Sequence, residues 1–322
     1  MNAAVWVFSG HGSQWAGMGA PLLDELPFAA TIDALEPVVN AELGFSPRKA
    51  LITGDLEGVD RVQTMIFAMQ VGLTALLRSR GAEPGAVIGH SVGEIAAAVT
   101  AGALSLDDGA LLSCRRSRLL RRVAGNGAMV LVMLPFDEAE RLLRGRSDAV
   151  AAIASAPAVT VIAGTPAAIG ELAEAWRAAG VGVRQVASDV AFHSPQMDPL
   201  LDDLKTAAAG LRPHPYSVPV YSTALADSRA LPTADGAYWA ANLRNPVRLV
   251  RAITAAAEDG YRAFLEISPH PVVAHSILQT LTDVGVTDGF VSGTLRRQRP
   301  QTQALESALA ALAEHTTTPT KG

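Results

Sequence analysis

Short runs of β-forming residues alternate with Ala- and Leu-rich helical segments along most of the chain, and this alternation restricts the fold more than any other feature. Residues 3–8 and 86–88 are short apolar runs of the strand type. Residues 63–80 carry apolar side chains at helical spacing, and a second long helical segment at 106–123 follows Ser105. Strands that alternate with helices predict a mostly parallel sheet with helices on both faces.

The middle of the chain has a different order of elements. Its predicted order is β-α-β-β-α-β, which is the ferredoxin-like motif. We therefore predict an α/β fold with a large subdomain at 1–126 and 189–300, a small ferredoxin-like subdomain at 127–188, and a C-terminal helix and polar tail at 301–322. The predicted elements of the small subdomain are strands at 129–134, 149–154, 159–163 and 181–186 and helices at 136–143 and 166–179. Beyond it we predict helices at 200–211 and 239–257 and strands at 218–221 and 264–267.

Composition excludes several classes of protein. With 49% apolar and 18% charged residues, the 322-residue chain is not of the disordered type. The single cysteine, Cys114, excludes an internal disulfide framework and a cysteine zinc cluster, and no metal site is expected. A net charge of −5 and 5% aromatic residues argue against a nucleic-acid partner. No targeting signal follows Met1, and no apolar window reaches the ~18 residues of a membrane span, which predicts a cytoplasmic protein with no membrane partner. The polar end from Thr316 would suit a domain of a longer chain.

The strongest local signal is Gly89-x-Ser91-x-Gly93, placed between a short apolar strand and an Ala-rich helix. This is the nucleophile-elbow pattern, in which the glycines permit a sharp turn that exposes the serine hydroxyl. The start of the following helix presents free N–H groups to a developing oxyanion. The pattern predicts a nucleophilic Ser91.

A serine nucleophile needs a base, and the chain has seven histidines. His11 and His193 are the stronger candidates, and the loop position of His193 in Ala-Phe-His-Ser-Pro favours it. The other five lie beside the tail, between or next to prolines, next to the nucleophile or in an apolar helical stretch: His315, His214, His270, His90 and His275.

Arg116 lies at helical spacing from Leu112, Leu119 and Leu120, on an apolar face. A guanidinium on such a face can bind an anion, because it forms bidentate pairs with carboxylates. The alternative is an amphipathic side chain whose head reaches water. The sequence leaves both open.

Four ordered motifs give the chain a family resemblance. They are Phe-Ser-Gly-His-Gly-Ser-Gln-Trp-Ala-Gly-Met-Gly at 8–19, Gly-His-Ser-Val-Gly-Glu at 89–94, Ala-Phe-His-Ser-Pro at 191–195 and Tyr-Trp-Ala-Ala-Asn-Leu-Arg-Asn-Pro-Val at 238–247. Over residues 4–300 the chain resembles the acyltransferase domain of a type I polyketide synthase, in the malonyl-CoA:acyl-carrier-protein transacylase family. The resemblance implies an α/β-hydrolase-like large subdomain with the ferredoxin-like insert, and an active site in the cleft between them.

The resemblance also implies roles for individual residues. Ser91 matches the nucleophile, His193 the general base and Arg116 the residue that binds the substrate carboxylate. A backbone carbonyl orients the base in this family, and the matching position is Asn242. The backbone N–H groups of His11 and Val92 would form the oxyanion hole.

Further matches concern the pocket. Gln63 matches a pocket-lining glutamine, and Phe192 before the base is similar to the malonyl-selecting form. Val190 stands at a third specificity position and matches neither usual residue. His11 replaces the usual glutamine of Gly-Gln-Gly and resembles synthases of the 6-methylsalicylic acid type.

The implied activity is a two-step acyl transfer in polyketide biosynthesis, from malonyl-CoA to the phosphopantetheine thiol of an acyl carrier protein, with no bound cofactor. The implied partners are that carrier protein and the ketosynthase and other domains of a parent synthase. The alternatives are an acyl hydrolase or a starter-unit loading acyltransferase of the same fold, and an inactive module that docks a carrier protein. A basic face could meet an acidic carrier protein or simply be solvated; it comprises Arg115, Arg118, Arg121 and Arg122.

Overall fold

The structure of the protein, a computed structural model, describes residues 3–317. The predicted tail beyond Thr317 and the residues Met1 and Asn2 lie outside the described residues. Within residues 3–317 the strands are β1 (Val5–Phe8), β2 (Ala86–Gly89), β3 (Ala128–Val132), β4 (Ala149–Ala156), β5 (Val159–Gly164), β6 (Val183–Val186), β7 (Val220–Tyr221), β8 (Ala263–Ile267) and β9 (Phe290–Gly293).

The helices of the same range surround these strands. They are α1 (Leu26–Leu43), α2 (Pro47–Thr53), α3 (Val59–Ser79), α4 (Gly93–Thr100), α5 (Leu106–Leu120), α6 (Phe136–Leu142), α7 (Pro166–Ala178), α8 (Leu201–Ala208), α9 (Gly236–Arg244), α10 (Leu249–Glu258), α11 (Ala274–Asp283) and α12 (Gln301–Thr317), with short 3-10 helices at Ala20–Asp24 and Pro195–Leu200.

A five-stranded parallel sheet forms the large body, in the order β7-β2-β1-β8-β9. Side chains of β1 alternate between its two faces, so that Trp6 and Phe8 join one apolar core while Val5 and Val7 join another. Both faces of the strand are thus buried, which explains its continuous apolar run. The predicted mixed α/β fold is confirmed.

A four-stranded antiparallel sheet lies within residues 128–186, in the order β4-β5-β3-β6. Val130 and Val132 of β3 pack with α6 and α7 in a separate apolar core. Met129 and Leu131 point to the opposite face, which borders a cavity. The subdomain boundaries proposed from the sequence stay a prediction.

Two predicted helices are shorter than expected. The helix expected at 239–257 is divided into α9 and α10, because Asn245 precedes Pro246 and adopts an extended conformation (ψ 156°) that ends the helix. The helix expected at 200–211 is reduced to α8, behind a 3-10 turn.

Two further features of the described residues concern membranes and metal ions. No helix within residues 3–317 is long and apolar enough to cross a membrane. The same residues contain no group of three or more His, Cys, Asp or Glu side chains that could bind a metal ion.

Candidate active site

The turn between β2 and α4 has the geometry of a nucleophile elbow. Ser91 adopts a left-handed backbone conformation with φ 56°, which costs energy for a residue other than glycine. A Cβ atom at Gly93 would lie 2.1 Å from the carbonyl oxygen of Phe8, and one at Gly89 would lie 2.2 Å from the Cα of Glu94. Both glycines are therefore required for the close approach of β1, β2 and α4.

Ser91 and His193, which are 102 residues apart, meet at this turn. The Nε2 atom of His193 lies 2.8 Å from the Ser91 hydroxyl oxygen. Its Nδ1 atom lies 3.0 Å from the carbonyl oxygen of Asn245. A carbonyl can only accept a hydrogen bond, so Nδ1 carries the proton and Nε2 is free to accept the proton of the Ser91 hydroxyl. His193 also has a left-handed conformation, with φ 60°.

Burial keeps His193 neutral. Its side chain is 1% exposed. Burial, reinforced by the positive charge of Arg116, lowers the pKa of His193 to about 3, against the raising effect of the nearby backbone carbonyls of Asn245 and Asn242. A neutral imidazole beside a serine hydroxyl can act as a general base at pH 7.

The predicted role of Asn242 needs correction. The hydrogen bond that orients His193 is accepted by Asn245, three residues farther along, because α9 ends at Arg244 and frees the Asn245 carbonyl. The Asn242 side chain instead faces the elbow, where Nδ2 donates to the Ser91 carbonyl oxygen at 3.1 Å and to Glu94 at 3.1 Å. An asparagine directly before a proline was the sequence signal for Asn245.

Arg116 is fully buried, with 0% of its surface exposed. Its Nη1 donates to the Gln63 side-chain oxygen at 2.5 Å, while Nε and Nη2 have no hydrogen-bond partner within residues 3–317. Burial lowers the pKa of Arg116 to about 10, and the negative charge of Glu94 opposes this effect, so the group stays cationic at pH 7. The alternative in which its head reaches water is wrong. Its two unpartnered N–H-bearing nitrogens can bind an anion.

A cavity of about 670 Å³ opens at Ser91. The large subdomain contributes His11, Gln63, Ser91 and His193 to its walls. The small antiparallel sheet closes the opposite side with Met129, Leu131, Ile153 and Val161. None of the residues that line the cavity is an aspartate or a glutamate, which favours anionic ligands.

The comparisons with known proteins decide the family. The family model described as the acyl transferase domain matches residues 5–320. The chain belongs to this family. It is 51% identical over 309 residues to the 6-methylsalicylic acid synthase of Penicillium patulum, which covers 96% of this chain and 17% of the synthase. It is 49% identical over 312 residues to a mycocerosic acid synthase-like polyketide synthase of Mycolicibacterium smegmatis, covering 96% of this chain and 15% of that protein.

A solved structure agrees with the family. The acyltransferase domain of the polyketide synthase PpsC of Mycobacterium tuberculosis superimposes with a TM-score of 0.88 and 41% sequence identity, over 92% of each chain. The predicted α/β-hydrolase-like body with a small antiparallel subdomain is confirmed, and the protein is an acyltransferase. The chain spans about a sixth of the length of the synthases it matches (17% of the Penicillium patulum enzyme).

Two of the three predicted pocket residues of this acyltransferase line the cavity. Gln63 and Phe192 line the cavity. Val190 does not line it; its fully buried side chain belongs to the main apolar core, where the chain packs closely against Gly127. The assignment of Val190 to the pocket is therefore corrected.

The two predicted oxyanion-hole positions border the elbow. Within residues 3–317, the backbone N–H groups of His11 and Val92 donate no hydrogen bond to the protein, as an oxyanion hole requires. The His11 ring lies 5.9 Å from the Phe192 ring, and its buried Nδ1 has no partner. Burial lowers the pKa of His11.

Sequence reasoning gave no role to Glu94, the last residue of the Gly-His-Ser-Val-Gly-Glu motif. Glu94 is 5% exposed. Its carboxylate accepts hydrogen bonds from the backbone N–H of Thr223 at 2.8 Å, the Thr223 hydroxyl at 2.7 Å, the Tyr238 hydroxyl and Asn242 Nδ2. Burial raises the pKa of Glu94, and these hydrogen bonds oppose the rise. A lone acidic residue in an Ala-rich apolar helix was the available signal.

The basic face of the acyltransferase is occupied by internal ion pairs. Arg115 and Arg118 both contact Glu42 at 3.0 Å, and Arg121 and Arg122 are paired with Asp60 and Asp203. These pairs leave the face less positive than the sequence indicates.

Proposed function

We propose that the protein transfers a malonyl unit from CoA to the phosphopantetheine thiol of an acyl carrier protein, as one domain of a polyketide synthase. The proposal rests on the complete burial of Arg116 and on the two nitrogens of its guanidinium that have no partner among the described residues. A guanidinium that is fully buried, without an acidic partner among the described residues, is costly to the folded protein. A substrate carboxylate would supply the missing anion.

The position of Arg116 supports this assignment. Its charge lowers the pKa of His193, so the two groups lie within electrostatic range. Arg116 itself does not line the cavity at Ser91, but Gln63, which accepts its Nη1 hydrogen bond, does. A malonyl group bound at Ser91 would thus have its free carboxylate near the two unpartnered nitrogens. A charge-assisted contact of this kind contributes roughly 1.5–3 kcal/mol.

The chemistry follows from the hydrogen bonds at the elbow. The Ser91 hydroxyl passes its proton to Nε2 of His193 and attacks the thioester carbonyl carbon. The oxyanion accepts hydrogen bonds from the backbone N–H groups of His11 and Val92, each worth roughly 3–4 kcal/mol in comparable enzymes. The C–S bond then breaks, and the CoA thiolate takes the proton from His193. The carrier thiol reverses these steps on the acyl-serine ester, so the kinetics are ping-pong.

Phe192 favours malonyl over methylmalonyl. It lines the cavity directly before the base, and its ring packs against the His11 ring. The two rings restrict the space for a substituent on the α-carbon. An additional methyl group changes the binding free energy by about 1–3 kcal/mol, so we expect a preference of roughly tenfold or more.

Intact-mass measurement tests the proposal. The protein is incubated with malonyl-, methylmalonyl- or acetyl-CoA, and pantetheine is then added as the acceptor thiol. We expect a malonyl adduct that is discharged to malonyl-pantetheine. Ser91→Ala should form no adduct, whereas Ser113→Ala, which alters a buried serine on α5 with an unpartnered hydroxyl, should form it normally.

Two results would contradict the proposal. Release of CoA without an adduct and without acyl-pantetheine would identify an acyl hydrolase. An adduct formed faster from acetyl-CoA than from malonyl-CoA would favour a starter-unit loading enzyme and would remove the role of Arg116.

A further inference from the structure

We propose that Glu94 and Asn242 are positioning residues for the acyl transfer, which together fix the Ser91 backbone and the helix that orients His193. This inference rests on the proposed role of Ser91 as nucleophile. It concerns residues that do not touch the substrate. It assigns a role in the reaction to a buried carboxylate behind the elbow.

Glu94 joins three parts of the large subdomain. It lies in the first turn of α4, directly behind Ser91. One carboxylate oxygen accepts both hydrogen bonds from Thr223, whose hydroxyl is also 2.8 Å from the Gly89 carbonyl. The other oxygen accepts from Tyr238 and Asn242 of α9. Each carboxylate oxygen faces an N–H group that can only donate, Thr223 N–H at one and Asn242 Nδ2 at the other, so two acceptor oxygens fit this site and a neutral amide does not.

Asn242 links this carboxylate to the nucleophile. Its Nδ2 group donates at once to Glu94 and to the carbonyl oxygen of Ser91, at 3.1 Å in each case. Ser91 has φ 56°, and a backbone in this sparsely populated region persists only where its surroundings fix it. The Asn242 contact fixes the peptide that follows the strained residue.

The same helix also reaches the base. Asn245, one residue beyond the end of α9, accepts the hydrogen bond from His193 Nδ1. Glu94 therefore connects the helix that begins at the nucleophile with the helix that ends at the base. A shift of α9 relative to α4 would alter the 2.8 Å contact between Ser91 and His193.

A second fully buried carboxylate in the same protein offers a comparison. Glu266 is also fully buried, and it accepts hydrogen bonds from the backbone N–H groups of Val272, Val273 and Ala274 at the start of α11. It has no hydrogen bond to Ser91, His193 or α9 among the described residues. Glu94 differs because its hydrogen-bond network ends at the reacting residues.

The test is a double-mutant cycle on the rate of acylation. Glu94→Gln, Asn242→Ala and the double variant are compared with the wild type in single-turnover reactions at saturating malonyl-CoA, with thermal unfolding measured in parallel. A displacement of about 1 Å at a reacting pair can cost about 100-fold, so we expect each single variant to acylate roughly 10- to 100-fold more slowly. The double variant should be no more than about threefold slower than the slower single, because the two residues act through one contact. The loss should be equal for acetyl-CoA, and KM should change little.

A control variant distinguishes the effect of displacing the reacting residues from the effect of lowering the stability of the fold. Thr74→Val removes a buried hydrogen bond, at 3.3 Å, between α3 and Thr100 at the far end of the same helix α4. It should lower the unfolding temperature but leave the acylation rate within about threefold of wild type, since it touches neither Ser91 nor α9.

Four results would overturn the inference: an unchanged rate in Glu94→Gln, losses that multiply in the double variant, a loss confined to malonyl-CoA, or an equal loss in Thr74→Val. If Glu94→Gln does not fold, an unchanged acylation rate in Asn242→Ala also overturns the inference.

Labelling of Ser91 by a fluorophosphonate measures the reactivity of Ser91 without any acyl donor. A wild-type protein that is labelled but never acylated by malonyl-CoA contradicts the proposed function, whereas unchanged labelling rates in both variants contradict only this inference.

Discussion

Five arginines occur between residues 115 and 122, on α5 and the turn that follows it, and they meet two different environments. Arg115, Arg118, Arg121 and Arg122 are between 31% and 55% exposed, and each has an acidic partner. Arg116 is fully buried and has a glutamine as its hydrogen-bond partner.

The difference is opposite to what stability alone would favour. An exposed arginine needs no partner because water solvates it, and its ion pairs contribute little. A buried arginine needs an anion, and among the described residues Arg116 has no ion-pair partner, although the charge of Glu94 acts on it from a greater distance. We therefore propose that the buried face of α5 that carries Arg116 serves a ligand, whereas the outer face contacts solvent and neighbouring helices.

The largest expected effect is on Arg116. Arg116→Met should lower kcat/KM for malonyl-CoA by roughly 10- to 100-fold, because a charge-assisted pair is lost, while kcat/KM for acetyl-CoA stays nearly constant. The free energy of unfolding should not fall, since an unpaired buried charge is removed. Steady-state kinetics with both donors checks this, with Arg122→Met as the outer-face control. Equal loss for the two donors would remove the distinction between the faces.

Gln63 should have a smaller effect of the same kind. Gln63→Met removes the oxygen that accepts the Arg116 Nη1 hydrogen bond, so the guanidinium is less firmly held. We expect the malonyl-to-acetyl ratio of kcat/KM to fall by roughly tenfold, corresponding to about 1.4 kcal/mol. A ratio equal to that of the wild type would mean that packing alone positions Arg116.

The pH dependence of acylation sharpens the comparison further. The pKa of His193 is about 3, so acylation should be independent of pH from about 5 to 8 and should decline only near the acid limit. Arg116 lowers the pKa of His193, so Arg116→Met should move the acid decline to higher pH, and Arg122→Met should not. Single-turnover acylation rates, measured against pH for the wild type and the two variants, test this difference. An identical profile in all three proteins would contradict the electrostatic link.

Protein stability should follow the same pKa shift. The pKa of His193 in the folded protein lies below the ordinary value of about 6.5. Neutral His193 therefore makes its full contribution to the free energy of unfolding above pH 6.5, and this contribution is lost as the pH falls towards 3. The slope is at most about 1.4 kcal/mol per pH unit. Denaturant unfolding of the wild type and His193→Asn should differ in slope only below pH 6.5. A difference that grows above that pH would contradict the assignment.

The outer face should give small effects. Glu42→Gln releases both Arg115 and Arg118 and should lower the free energy of unfolding by about 1 kcal/mol or less. In this variant, the ratio of kcat/KM for malonyl-CoA to kcat/KM for acetyl-CoA should equal that of the wild type. A changed ratio would show that the outer face also influences the substrate.

The smallest effect is expected at Cys114, which is buried on α5. Burial raises the pKa of its thiol to about 12, so it should not react with thiol reagents in the folded protein at pH 7, and activity should be unaffected. Unfolding should expose one reactive thiol. Rapid labelling of Cys114 in the native state would mean that the packing around α5 opens readily.

Much of this site was accessible from the sequence because it lies in local patterns. The elbow at Ser91 depends on two glycines within five residues, and the steric reason for each is visible in the contacts of β1 and α4. The apolar spacing around Arg116 indicated its buried face. The ferredoxin-like order of elements followed from alternating strand and helix patterns, and it matches the observed sheet order.

Other features depend on distant parts of the chain. His193 Nδ1 is hydrogen-bonded to the carbonyl of Asn245 and not to that of Asn242, because Asn245 lies beyond the end of α9 in an extended conformation that turns its carbonyl away from the helix axis. Val190 lies next to the Ala-Phe-His segment in sequence, but its side chain points into the core. The position of Glu94 in an apolar helix was the one local signal, but its partners lie more than 120 residues farther along the chain, so the sequence did not indicate what it contacts.

The strand–turn–helix at Ser91, the order of strands and helices and an arginine on an apolar helical face were all predictable from local sequence patterns, because each depends on neighbours within a few residues. Which charges are paired depends on the packing of distant segments. Ion pairs and hydrogen bonds join residues that are far apart in sequence, and their strength depends on burial. The packing of α5 against α1 and α3 therefore buried one arginine without an ion-pair partner among the described residues and left the other four paired with carboxylates.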